Sequence, residues 1–180
     1  DPQGNTTSGF GVEKDSLEFT LYDLLLEEKE LDDVIINNVV EGVDLIPSNT
    51  DLSGAEIELI GRENREYLLR TLINQKKDAY DFIIMDCPPS LNMMTINALT
   101  AANSVLVPIQ CEYYALEGLS QLLYTVNLVK ERLNEEIKIE GVVLTMYDAR
   151  TNLSAQVVDN VRKNMDKDIY KIVIPRSVRL

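Results

Sequence analysis

Short runs of β-branched and aliphatic residues recur along this chain, and between them the apolar residues are spaced three or four apart. The runs fall at residues 43–46, 82–86, 104–109, 139–146 and 169–174. Each is nearly continuous in apolar character, as strands covered on both faces must be. Such strands alternating with helices predict an α/β fold, a mostly parallel sheet with crossover helices on both faces. The intervening residues 63–76 read as a helix with Tyr67, Leu68, Thr71 and Leu72 on one side. Residues 115–133 form a longer one, in which Leu116, Leu119, Leu123, Val126 and Val129 make a single apolar stripe. That stripe is expected to face the core rather than a membrane. Thr151 or Asn152 caps a third helix running to Met165, with Val157, Val158 and Val161 inward.

No repeat, low-complexity stretch or linker interrupts the 180 residues, and 45% of them are hydrophobic, enough for a core. One domain over residues 1–180 is therefore expected. No run of about 18 apolar residues occurs, and the N-terminus has neither an initiator Met nor a signal-peptide pattern. A cytoplasmic protein whose start lies upstream is expected. Cys87 and Cys111 stand far apart with no CxxC, and the chain has no histidine, so no zinc-like ligand cluster is present. Both cysteines read as buried small hydrophobes.

The net charge of -13 argues, taken alone, against a nucleic-acid binder. Its distribution is uneven. Up to Asp148 there are 27 acidic against 10 basic residues, whereas from Ala149 onward there are 3 against 7. By itself this is either a basic surface or a short tail without consequence.

Right-handed crossovers put every strand C-terminus on one edge of the sheet, where open α/β sheets bind ligands. That places chemistry in Asp86-Cys87-Pro88-Pro89, Gln110-Cys111-Glu112, Tyr147-Asp148-Ala149-Arg150 and Pro175-Arg176, besides the opening Asp1-Pro2-Gln3-Gly4-Asn5. The run Asp81-Phe82-Ile83-Ile84-Met85-Asp86 has the form of a Walker B element, whose terminal carboxylate holds Mg²⁺, usually through water. A turn-capping aspartate is the alternative reading. Pro88-Pro89 stiffens the exit from that run. The opening pentapeptide reads as a turn in which Gly4 permits close approach and Asp1 is free to position a water or the metal shell.

Five segments in this order resemble the ParA/Soj chromosome-partitioning ATPases of the deviant P-loop class. They are Asp1-Pro2-Gln3-Gly4-Asn5, Asp86-Cys87-Pro88-Pro89-Ser90, Thr95-Ile96-Asn97-Ala98-Leu99, the run from Gln110 to Gly118, and Ile174-Pro175-Arg176-Ser177-Val178-Arg179-Leu180. The resemblance spans the chain. It implies a P-loop NTPase-like ATPase that uses ATP and Mg²⁺, forms a homodimer on ATP and binds non-specific DNA in that state. A ParB-like partner then stimulates hydrolysis, on the nucleoid and without a membrane. By this resemblance Asp1 orients the attacking water, and Asp86 is the Walker B aspartate acting on Mg²⁺, with Asp1 near the metal shell. Tyr147, Asp148, Pro175 and Arg176 lie in segments that line the adenine pocket. Thr145-Met146-Tyr147-Asp148 stands where guanine-specific relatives carry Asn-Lys-x-Asp, which favours ATP. Arg150 and Arg179 match DNA-contacting arginines, and Arg162, Lys163 and Lys167 extend the patch. The contacts would read phosphate rather than base sequence.

One departure stands out: no Gly-Lys-Ser/Thr occurs anywhere. The phosphate-binding loop, its strand and the C-terminal helices are expected to lie outside these residues, and the 180-residue piece alone is expected to be inactive. Three other readings keep the fold. A MinD-like membrane-associated ATPase would open differently from Asp-Pro-Gln-Gly-Asn. An iron–sulfur carrier would need cysteines spaced to bridge a dimer. A non-catalytic interaction protein would have no need for two carboxylates at one edge.

Overall fold

Local hydrogen bonding builds the first hundred residues out of short helices. The computed structural model describes residues 1–113, 115–165 and 169–177. These group into two compact units, Asp1–Ala101 and Ala102–Leu180. In the first, α1 (Asn5–Gly9) follows Gly4, whose φ of 61° is in the left-handed region. α2 (Leu21–Leu25) is held by a capping box, the Thr20 hydroxyl accepting from the Tyr22 amide and the Asp23 carboxylate accepting from the Thr20 amide. α3 (Leu31–Val34) leads into an antiparallel hairpin of β1 (Ile36–Val40) and β2 (Val43–Leu45), turned at Gly42 with φ of 75°. α4 (Leu52–Glu58), α5 (Leu68–Lys76) and α6 (Met93–Ala101) complete the unit.

Its core joins Leu25, Leu52, Ala55, Leu59 and Met94, with Leu68, Leu69 and Leu72 packed on them. A neighbouring cluster holds Leu24, Leu31 and Val34. The helix expected over residues 63–76 begins only at Leu68. Asn64 takes a left-handed φ of 55°, and a 3₁₀ turn at Arg65–Tyr67 intervenes. The apolar run 82–86 differs more. No strand pairs with it among the described residues, and Phe82 and Ile84 are 85% and 92% exposed. A strand is defined by its ladder, and here the apolar pattern is present without a hydrogen-bonding neighbour.

The second unit carries the parallel sheet that the sequence predicts. β3 (Ser104–Gln110), β4 (Lys138–Tyr147) and β5 (Ile169–Pro175) lie in the order β3-β4-β5, all parallel. α7 (Ala115–Arg132) and α8 (Asn152–Asn164) are the crossovers. α8 is capped as expected, Thr151 accepting from the Ser154 amide. Both crossovers step the same way across the sheet, so right-handedness puts both helices on one face. Accordingly Leu119 of α7 and Val157, Val158 and Val161 of α8 share a cluster with Val107, Ile109, Val142 and Leu144. The alternate positions Leu106 and Ile172 face away from that cluster and are 54% and 77% exposed. Cys111 is buried in the cluster as expected, but Cys87 is exposed. No helix among the described residues is long and apolar enough to cross a membrane.

Candidate functional site

In the first unit three chain segments meet through hydroxyl groups. The Asp1 carbonyl accepts from the Ser48 hydroxyl at 2.6 Å and from the Gly4 amide at 3.0 Å, which closes the opening pentapeptide into a turn. The Asp1 carboxylate accepts from the Gln3 amide at 3.0 Å. Ser48, just past β2, also exchanges two hydrogen bonds with Thr7: its amide donates to Thr7 Oγ1 at 3.0 Å, and Thr7 Oγ1 donates to its carbonyl at 3.2 Å. Gly4 packs so tightly here that a Cβ would lie 2.4 Å from the Ser48 carbonyl oxygen. The third segment is the end of the 82–86 run. The Asp1 nitrogen donates to the Asp86 carbonyl at 3.1 Å, and Thr6 Oγ1 donates to Asp86 Oδ2 at 2.6 Å. Beneath them lies a cavity of about 240 Å³, whose polar lining includes Asp1, Thr6, Ser48 and Asp86.

Asp1 and Asp86, 85 residues apart, are thus brought to one place. The donors gathered there are hard oxygens, the type magnesium prefers. Asp86 Oδ1 accepts no hydrogen bond among the described residues. The described residues hold no group of three or more acidic, His or Cys side chains able to grip a metal.

In the second unit Tyr147 and Pro175 are register partners at the C-terminal ends of β4 and β5, and the Arg176 amide donates to the Tyr147 carbonyl at 2.9 Å. Tyr147, Asp148, Pro175 and Arg176 therefore cluster as the sequence suggests. The Asp148 carboxylate is committed to Arg150. Arg150 Nε and one terminal nitrogen donate to its two oxygens at 2.9 and 2.7 Å, and the Arg150 amide adds a bond of 3.0 Å. These side-chain and backbone bonds, helped by the charge of Arg176, hold the Asp148 carboxyl far below the ordinary carboxylate range. Arg150 is correspondingly shifted up by Asp148. Its side chain is 87% exposed, and a guanidinium with two of its five N–H groups engaged keeps three for another acceptor. Arg162 and Lys163 lie exposed in the last turn of α8, Arg162 reaching the Lys171 carbonyl at 3.4 Å. Lys167 and Arg179 lie outside the described residues.

Residues 1–139 match the AAA domain family AAA_31. The chain is 55% identical over all 180 residues to the sporulation initiation inhibitor protein Soj of Bacillus subtilis, covering 71% of that protein. It belongs to the ParA/Soj family of chromosome-partitioning ATPases. It is likewise 47% identical over its full length to the chromosome partitioning protein ParA of Myxococcus xanthus, of which it spans 64%. Among solved structures, a Mycobacterium smegmatis protein described as cobyrinic acid a,c-diamide synthase, with a bound ATP analogue and magnesium, superposes with a TM-score of 0.91. It shares 38% identity over 98% of this chain and 72% of its own. A plasmid partition protein from Borrelia burgdorferi follows the same fold, with a TM-score of 0.80 and 28% identity over 98% of this chain and 74% of its own. These likenesses establish the P-loop NTPase-like α/β fold.

The ParA/Soj motifs point to Asp1 and Asp86, but not to Thr6, Thr7 or Ser48, which bind those segments together. Thr6 and Thr7 follow the opening motif, but Ser48 lies beside none, and a hydroxyl in a sequence does not name its partner.

Proposed function

We propose that the whole protein is a magnesium-dependent partitioning ATPase that dimerises on ATP and binds DNA without sequence preference in that state. A ParB-like partner then stimulates hydrolysis and releases it from the nucleoid. The observation that carries this reading is the meeting of the Asp1 turn with the Asp86 carboxylate, in a chain 55% identical to Soj.

In this reading magnesium, when bound, neutralises charge on the nucleotide phosphates. Asp86 would hold the ion through its water shell, and Asp1 would orient the attacking water from a turn fixed by Ser48. The phosphate cradle itself would come from a Gly-rich loop outside these residues. Tyr147, Pro175 and Arg176 line the adenine. Asp148 acts there as the anchor of Arg150 rather than as a free base-reading carboxylate. Arg150, Arg162 and Lys163, joined by Lys167 and Arg179, meet DNA phosphates. Dimerisation doubles this patch, which lets an acidic chain hold DNA in one nucleotide state only.

The test is DNA binding by the whole protein with ATP and with ADP across a salt series. Tight, salt-sensitive binding to any sequence with ATP alone is the expected result. ATP binding without DNA binding in either state would overturn the DNA reading.

A further inference from the structure

We infer that Thr6 is a positioning residue for Asp86: its hydroxyl fixes one carboxylate oxygen and thereby aims the other at the magnesium water shell. This rests on the proposed magnesium–nucleotide reading. Asp86 accepts from Thr6 through Oδ2, while its Oδ1 accepts no hydrogen bond among the described residues. A carboxylate held by no other side chain would sample several rotamers. The Thr6 bond to Oδ2, at 2.6 Å, is the one side-chain hydrogen bond to this carboxylate among the described residues, and it selects among them.

Thr6 stands on a rigid base. Its neighbour Thr7 is 2% exposed and doubly bonded to Ser48, and Gly4 before it is wedged against the Ser48 carbonyl. β-branching further restricts the Thr6 side chain. Thr6 itself is exposed, so its hydroxyl fills no core space. Orientation of Asp86 is what it contributes. The residue couples the turn that carries Asp1 to the carboxylate on the ion, so a displacement of that turn would also release Asp86.

The experiment titrates magnesium into the whole protein with a fluorescent ATP analogue, and repeats nucleotide binding in EDTA, for wild type, Thr6→Val and Thr6→Ser. Thr6→Val is expected to raise the half-saturating magnesium concentration by about 10-fold, the lower end for loss of a partner to a metal-holding group. Affinity in EDTA and the melting temperature should stay at wild-type values, and Thr6→Ser should restore the magnesium response. A Thr6→Val protein with wild-type magnesium dependence overturns the inference while leaving the ATPase reading intact. Equal losses with and without magnesium also overturn it, by marking Thr6 as structural. Wild type showing no magnesium-dependent nucleotide binding would sink the underlying reading instead.

Discussion

Asn97 shows how a single side chain in a recognisable motif serves the fold. It is 1% exposed in α6, and its amide nitrogen donates to the Arg65 and Met93 carbonyls at 2.8 and 3.1 Å. Its amide oxygen accepts from the Leu69 backbone at 3.1 Å, satisfying a first-turn N–H of α5 that has no intrahelical partner. One residue thus clamps the start of α5 to α6. Asn97→Ala leaves a donor and an acceptor unpaired at a buried site, and is expected to cost about 2–3 kcal/mol in urea unfolding. Unchanged stability would show that water takes over both bonds. The motif was legible in the sequence, but its work was not, because the partners Arg65 and Leu69 lie about thirty residues away. Asp1 and Asp86 stood out for a simpler reason: they sit inside motifs that the resemblance to the ParA/Soj family marks before any contact is known.

At the scale of elements, β3, β4 and β5 match the predicted runs closely, since their sequences are apolar at nearly every position, although only one side of them packs against α7 and α8. β1 escaped because Asn37 and Asn38 break its apolar pattern and Asn38 takes a φ of 52°. The run 82–86 carried a strand's side chains but not its ladder, and periodicity reports only the former. The loop from β4 to α8 is set by charge rather than pattern, through the Arg150 grip on Asp148. Because the folded pKa of Asp148 is depressed, this grip contributes above the ordinary carboxylate pKa of about 4 and is lost only as pH falls through the lower folded value. Arg150→Gln is therefore expected to raise the Asp148 midpoint toward the ordinary value, read by carboxyl NMR titration. Stability at neutral pH should barely move, since the Arg150 side of the pair is exposed to solvent. A midpoint that stays low would assign the depression to the backbone N–H of residue 150, which the variant keeps, and after it to Arg176.

Over the whole molecule the charges oppose the proposed partner, and that opposition makes the DNA prediction sharp. A chain with 30 acidic and 17 basic residues repels a polyanion unless its cations are grouped. The excess of cations lies from Ala149 onward, with Arg150 just before α8 and Arg162 and Lys163 in its last turn. Arg150 is already paired, but its remaining N–H groups leave the fork able to take a phosphate without releasing Asp148. Loss of a phosphate contact lowers the salt slope of binding by about one unit, and a dimer loses two contacts per substitution. Arg150→Ala is thus expected to weaken ATP-dependent DNA binding and flatten its salt slope by about two units, with nucleotide affinity unchanged. Charge reversal at both Arg150 and Arg179 should abolish DNA binding. An unaltered slope in the alanine variant would mean that Arg150 serves Asp148 alone, and the DNA surface would have to be sought on the other basic residues of α8 and β5.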